Sequence, residues 1–298
     1  MSDRIPFKSG FISIIGRPNV GKSTLLNAII GEKVAIISSK PQTTRNRILG
    51  VKNLIDAQLI FLDTPGIHKP IHKLGKTMVK TAFETCKDVD LILLIVKPEE
   101  PDQEDSHIIE TLRPVNKPVF LLINKIDTIV KQNILPLIDR YRGIFNFPEI
   151  VPISALKLYN LDRLLETIID YIPEGPRFYP EDIVTDQLER FMVEEIIREK
   201  IMEHTKQEIP YSVAVTVEEF REEEKIIFIR ALIYVERDSQ KGILIGKGGR
   251  MLREIGTMAR KDTEGLLGAR VFLELWVRVK KDWRQDERVL KEFGYKGS

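Results

Sequence analysis

Eight residues constrain this chain more than any others: Gly16-Arg17-Pro18-Asn19-Val20-Gly21-Lys22-Ser23. They follow the apolar run Phe11-Ile12-Ser13-Ile14-Ile15 and precede Thr24-Leu25-Leu26-Asn27-Ala28-Ile29-Ile30, which reads as a helix. A G-x-x-x-x-G-K-S string between a strand and a helix is a phosphate-binding loop. Its glycines let backbone N–H groups close around a phosphate chain, its lysine reaches the β- and γ-phosphates, and its serine hydroxyl ligates magnesium. The context argues against a merely structural glycine turn. The chain is therefore expected to bind a nucleoside triphosphate.

Which triphosphate is decided downstream. Asp63-Thr64-Pro65-Gly66 follows the apolar run Leu59-Ile60-Phe61-Leu62. That puts the Asp63 carboxylate at a strand end, where it can hold magnesium through water, and the Gly66 N–H where it can meet the γ-phosphate. Val119-Phe120-Leu121-Leu122-Ile123 leads into Asn124-Lys125-Ile126-Asp127. An aspartate at that last position accepts hydrogen bonds from guanine N1–H and the exocyclic amine. Adenine would leave the buried carboxylate unpaired, at a cost of about 1–3 kcal/mol. Val151-Pro152-Ile153 then leads into Ser154-Ala155-Leu156, where the Ala155 N–H is expected to meet guanine O6. Four elements in order, each closing an apolar run, read as a GTPase.

Composition agrees with an ordinary two-domain protein. The 298 residues are 43% hydrophobic and 30% charged, enough to build a substantial core. A formal charge of +2 decides nothing about nucleic acid. The single cysteine, Cys86, excludes an internal disulfide and fits a reducing cytosol. No apolar stretch reaches membrane-spanning length, and the Met-Ser-Asp-Arg start does not read as a signal peptide. His68 and His72 have i, i+4 spacing but flank Pro70, which argues against a zinc pair.

Runs near 11–15, 59–62, 91–96, 119–123 and 150–153 are leucine-rich or β-branched with little polar alternation, the signature of a parallel sheet covered on both faces. Helices are expected after the phosphate loop and across 73–86, 103–113, 132–145 and 160–171. This is an α/β GTPase domain over 1–172. Pro173-Glu174-Gly175-Pro176 stops the last helix and opens a linker over 173–185. A second, α+β domain fills 186–298. It should hold a helix over 187–205, strands over 211–217 and 225–235, a glycine loop, a helix over 250–261, a strand over 269–279 and a helical 282–293.

The order helix–strand–strand–helix–GxxG–helix–strand is the type II KH arrangement. Its loop Gly246-Lys247-Gly248-Gly249 brings backbone close to a nucleic-acid phosphate chain. A GxxG alone is weak. Between Arg237 and Lys261, however, seven Lys or Arg face two acids, whereas 186–298 as a whole carries 22 basic and 22 acidic residues. Positive charge is thus concentrated around the loop, as a phosphate groove requires. Lys241, Ile245, Gly246, Lys247, Gly248, Gly249, Arg250 and Arg253 are the candidate RNA contacts.

With these motifs assembled, the whole chain resembles the Era family, ribosome-assembly GTPases with a Ras-like domain followed by a type II KH domain. Similarity also extends to Pro41-Gln42-Thr43-Thr44-Arg45, the stretch from Phe191 to Lys200, and Leu273-Glu274-Leu275-Trp276-Val277. The resemblance implies binding of the 3′ end of 16S ribosomal RNA and of the 30S subunit, with roles in 16S rRNA processing and 30S maturation. It places bases over Ile243, Ile245, Met251 and Leu252. The expected ligands are GTP or GDP and Mg2+, held by residues 16–24, 63–66, Asn124, Lys125, Asp127 and 154–156, with Ser23, Thr44 and Asp63 at the metal. The residue after D-x-x-G is Ile67, which cannot position water as a glutamine would, so intrinsic turnover should be slow. Related families use K+ held partly by a phosphate-loop asparagine, and Asn19 stands there. Lys22, Thr44 and Asn19 are therefore the catalytic candidates. Thr43 remains an alternative to Thr44, and Arg45 reads equally as an arginine finger or a solvated loop residue. A cytoplasmic monomer with some peripheral contact at the inner membrane face completes the expectation. The short linker predicts that nucleotide state alters KH docking and RNA affinity. Two other readings stay open: a KH-shaped domain that binds protein, and a sister-family tRNA-modification GTPase.

Overall fold

The computed structural model describes residues 6–38 and 40–295. The Met-Ser-Asp-Arg start and the last residues of the second expected domain lie outside them. Six strands form one sheet in the order β2-β3-β1-β4-β5-β6: β1 (Lys8–Gly16), β2 (Ile48–Asn53), β3 (Ala57–Asp63), β4 (Leu91–Val96), β5 (Val119–Ile123) and β6 (Ile150–Pro152). All pairs are parallel except β2 with β3. Period-two geometry divides each apolar run between two layers. Ile12 and Ile14, Leu59 and Phe61, and Leu91 and Leu93 face α1 (Lys22–Ile30) and α5 (Leu161–Tyr171). Ile15, Ile60 and Leu62, and Ile92 and Leu94 face α2 (Lys73–Thr85), α3 (Gln103–Leu112) and α4 (Ile134–Arg142). Each such side chain, buried fully, contributes about 1.5–3 kcal/mol.

Strand β2 has no counterpart in the sequence reading. Gly50 interrupts its short apolar run, yet a Cβ there would lie 2.8 Å from Leu26 Cδ1, so the glycine lets α1 seat on the strand. The segment after α5 is fastened to this domain rather than slack. Ser9 N–H donates to the Pro173 carbonyl (3.1 Å), and Val51 N–H to Val184 (2.8 Å). The buried Gln58 carboxamide receives the Phe178 and Tyr179 N–H groups.

The C-terminal region contains α6 (Glu189–His204), α7 (Ile209–Ser212), β7 (Ala214–Glu222), β8 (Ile227–Val235), α8 (Asp238–Ile245), α9 (Arg250–Leu267), β9 (Val271–Val279) and α10 (Glu287–Glu292). Its sheet runs β7-β8-β9, antiparallel then parallel. The expected strand at 211–217 begins later, because Pro210 sits in the first turn of α7 and favours a helical start there. Residues 282–293 are helical only in two pieces, a 3-10 turn at Trp283–Gln285 and α10.

Candidate functional site

The phosphate loop joins β1 to α1 at the C-terminal rim of the sheet, between β3 and β4. Its glycines are obligatory. At Gly16 (φ +149°) a Cβ would stand 2.4 Å from the Ile95 carbonyl, and at Gly21 (φ +103°) 2.3 Å from Asn124 Nδ2. The Lys22 ammonium is enclosed by the loop, donating to the Gly16 (3.1 Å) and Arg17 (2.7 Å) carbonyls. Burial pushes it down to about 8, against the opposing pull of Asp63, so it is primed to gain an anionic partner.

Three oxygen donors converge beside it. Ser23 Oγ lies 2.8 Å from Thr44 Oγ1 and donates to Asp63 Oδ2 at 2.7 Å, and Thr44 donates to the same oxygen at 3.1 Å. The other carboxylate oxygen, Asp63 Oδ1, is buried without a hydrogen-bond partner. Burial pushes the Asp63 carboxyl up, against Lys22 and the two hydroxyls. Two hydroxyls and an orphaned carboxylate oxygen fit a hard divalent cation such as Mg2+. Thr43 turns away and donates to the Lys40 carbonyl (2.7 Å), which favours Thr44 as the switch threonine. Thr64 donates to the Ile14 carbonyl (2.9 Å) and so braces Asp63 rather than facing ligand. Pro65 and Gly66 are buried. Gly66 packs so closely on Pro18 that a Cβ would come within 2.9 Å. Ile67 is also buried, its N–H bonded to the Gly16 carbonyl (3.0 Å).

At the base end, Asn124 works as a clasp. Its amide donates to the Val20 carbonyl (2.8 Å) and accepts from the Ala155 N–H (3.0 Å). Ala155 is thereby tied to the loop that carries Asn124. Lys125, left-handed at φ +62°, donates to the Asn19 carbonyl (2.7 Å). Ser154 holds the Asp127 carboxylate at 2.5 Å, fixing the group that would read the base edge. Leu156 is exposed, and Thr24 lines the phosphate cavity. The Arg17 side chain pairs with Asp102, Glu104 and Asp105 at the start of α3, which leaves the loop backbone at Arg17 as the part that can face phosphate.

Arg45 is neither a finger nor solvated. It is 3% exposed and inserted into the C-terminal region, donating to the carbonyls of Val213 (2.6 Å), Pro210 (3.3 Å) and Tyr211 (3.2 Å) and to the Tyr295 hydroxyl (3.2 Å). Its guanidinium also lies over the Trp283 and Tyr295 rings. Nearby, α6 grips the same loop. The buried Glu199 accepts from Ile37 N–H (2.9 Å) and Lys33 (2.5 Å), Arg198 donates to the Thr43 carbonyl, and Lys40 donates to the Met202 and Thr205 carbonyls. On the other side Leu74 and Met78 of α2 pack against Trp283, Leu290 and Phe293. Nothing local in the sequence signals these contacts, because every partner of Arg45 lies at least 165 residues away.

The GxxG loop stands between α8 and α9, with Gly246, Gly248 and Gly249 at φ +71°, +60° and +76°. A Cβ at Gly246 would meet Met251 Cβ at 2.8 Å, whereas Gly248 and Gly249 face open space. A groove runs from this loop between α9 and β9, lined by Gly249, Leu252, Arg253, Thr257, Arg260 and Phe272. Lys247 and Arg250 are exposed at its head. Lys241 lies on α8, outside the groove lining. Ile245, expected as a contact, packs against the domain core with Met251 and Leu252, and Ile243 is exposed outside the lining. The sequence reading missed Gly256, Thr257, Arg260 and Phe272. Spacing could have found three of these positions: Gly249, Arg253, Gly256 and Arg260 recur at helical intervals along one face of α9, with Thr257 beside them.

The fold and site define a GTP-binding domain of the phosphate-loop class joined to a KH domain. Residues 11–125 match the family model described as a 50S ribosome-binding GTPase, and 208–284 match that of the KH domain. The chain is 56% identical over 294 residues to GTPase Era of Syntrophus aciditrophicus (strain SB), covering 98% of this chain and 96% of that one. It superposes with a TM-score of 0.95 and 46% identity on a crystal structure of Era in complex with MgGDPNP and nucleotides 1506–1542 of 16S ribosomal RNA, covering 97% of this chain and 99% of that one. Against a point variant of Aquifex aeolicus Era bound to GDP.AlF4- the TM-score is 0.94, at 46% identity and the same coverage. The chain belongs to the Era family of GTPases.

Proposed function

We propose that this chain is a GTP-driven switch that binds the 3′ end of 16S rRNA in the α9–β9 groove and acts on the 30S subunit during 16S processing and maturation. The observation that carries the reading is the joint presence of a phosphate loop with Asp63, Asn124 and Asp127 gathered around it and a GxxG groove, in a chain that matches over 97% of its length an Era crystallised with a GTP analogue and that rRNA segment. Lys22 would neutralise the β- and γ-phosphates, Ser23, Thr44 and Asp63 would hold Mg2+, and Asp127 would select guanine. The metal, when bound, supplies charge compensation to the transferring phosphoryl group. With Ile67 where a glutamine could act, turnover is slow until a cation or partner assists. Asn19 suggests K+, and equal rates in sodium and potassium would remove that part.

The hold of α6 on residues 33–43, and of the α7 region and Tyr295 on Arg45, supports coupling between the two functions. Losing the γ-phosphate releases switch loops, and here that loop is also the seat of the KH domain. Reciprocity then requires RNA to change nucleotide affinity. Anisotropy titrations of a 3′-end oligonucleotide against GTP-analogue and GDP forms test both parts: different affinities are expected, identical ones reject coupling, and no binding moves the groove to a protein partner. The proposed picture also includes a cytoplasmic monomer with peripheral membrane contact, tested by sedimentation with and without anionic vesicles. Among the described residues no helix is long and apolar enough to cross a membrane.

A further inference from the structure

The KH sheet carries an aromatic face that the groove does not account for. Along β9, Val271 and Val277 point to the helices and are buried, while Phe272 and Trp276 point outward and are 53% and 54% exposed. Phe272 stacks on Phe228, its register partner on β8, with centroids 5.5 Å apart and planes 12° from parallel. The guanidinium groups of Arg221 and Arg230 lie 4.8 and 5.5 Å from the Phe228 ring. Arg278 is exposed at the far end and, among the described residues, joins no ion pair. Two large aromatics half open to water on one strand form an exposed patch of the kind that marks an interaction surface, and the Trp276 indole also hydrogen-bonds the neighbouring Glu274 carboxylate.

Continuity identifies the cover. Phe272 lies on the edge shared by the α9–β9 groove and the outward face, so a strand that turns over that edge comes onto the face that carries Trp276. The charge is mixed, since Arg230 pairs with Glu219 and Glu274 and Arg221 with Glu219. A phosphate-tracking duplex surface needs dense positive charge. Aromatic rings with interleaved arginines instead suit unpaired bases, every one of which has a π face. Resting on the RNA-binding role above, we propose that the outward face of β9, with Trp276 at its centre, is a stacking platform for unpaired nucleotides that flank the segment held in the groove.

The two tryptophans make the test direct, because Trp283 is fully buried and Trp276 alone is open to a quencher. The full-length protein with a GTP analogue is titrated with a short single strand that fills the groove and with the same strand extended at either end. One extension should quench tryptophan fluorescence and tighten binding by about tenfold, the scale of one stacked base. Trp276→Ala should erase that gain while leaving the short strand's affinity unchanged, and Trp276→Phe should restore most of it. Any of three outcomes overturns the platform: no gain from either extension, a gain that survives Trp276→Ala, or equal loss for both strands, which would mark Trp276 as fold-bearing. If neither strand binds, the RNA reading itself fails. If the short strand binds and a small-subunit protein quenches Trp276 instead, only the platform fails and the face belongs to protein.

Discussion

The nucleotide site and the groove proposed for RNA are built on opposite plans. Apart from Thr44, which comes from the loop before β2, the nucleotide-site side chains lie at the C-terminal end of a parallel strand or just after it, and neighbouring strands hold those ends in a fixed row. The site is cross-braced, with Asn124 tied to Val20 and Ala155, and Asp63 to Ser23 and Thr44. The groove is made instead by two elements facing each other, α9 and β9, and its polar residues are open to water. Rigidity in the first suits chemistry that needs small positional tolerance. Openness in the second suits a flexible polymer that supplies its own conformation.

Five substitutions press on that contrast, beginning where the strongest effect is expected. Lys22→Ala should lower single-turnover phosphate release by about two to three orders of magnitude, the scale of one lost charge-stabilising donor, with unchanged circular dichroism. Arg45→Met keeps the side-chain volume but leaves the Pro210, Tyr211 and Val213 carbonyls, two of them buried, without this donor. It should cost about 2–4 kcal/mol in denaturant titrations and make RNA affinity independent of nucleotide, joining the two regions in one phenotype. Asp127→Asn keeps a partner for Ser154 yet loses the anion, so calorimetric GDP affinity should fall by about ten- to a hundredfold while RNA binding by the groove persists. Arg260→Ala should weaken RNA binding by about 1 kcal/mol and reduce the salt slope by about one, with basal GTP hydrolysis untouched.

The last test is a pH dependence in α6. Burial raises Glu194 from an ordinary 4.5 to about 7, with the Val217 N–H pulling the other way. The folded state therefore holds this proton more tightly than the unfolded chain. Its stabilising effect is full below about pH 4.5 and disappears as pH rises through about 7, a span of about 1–2 kcal/mol for a half-buried carboxyl. Glu194→Gln should flatten that decline in melting temperature; an unchanged slope would assign the pH dependence to other groups.

Legibility followed the same contrast. Asp63, Asn124, Asp127 and Ser154 could be read because a buried parallel strand converts a short string into a position in space. Strand β2 escaped because Gly50 breaks its pattern for a packing reason visible only with α1 in place. Phe272 escaped because a groove between distant segments has no local signature. The intramolecular partners of Ala155 and Arg17, Asn124 and the acids at the start of α3, lie far along the chain and so left no local mark. Arg45 could not be placed at all, since what decides its role is a pocket of carbonyls and rings far along the chain.

That last distance has a consequence for the birth of the molecule. Synthesis runs from the N-terminus at about 5–20 residues per second, and domains fold as they emerge. The phosphate loop, Asp63 and Asp127 can all be in place while the Arg45 receptors, Pro210, Tyr211, Val213 and Tyr295, have yet to be made. For many seconds a growing chain would own a nucleotide pocket with an untethered switch loop. The newborn GTPase is then a different machine from the finished one, able to hold guanine nucleotide before it has anything to report that fact to.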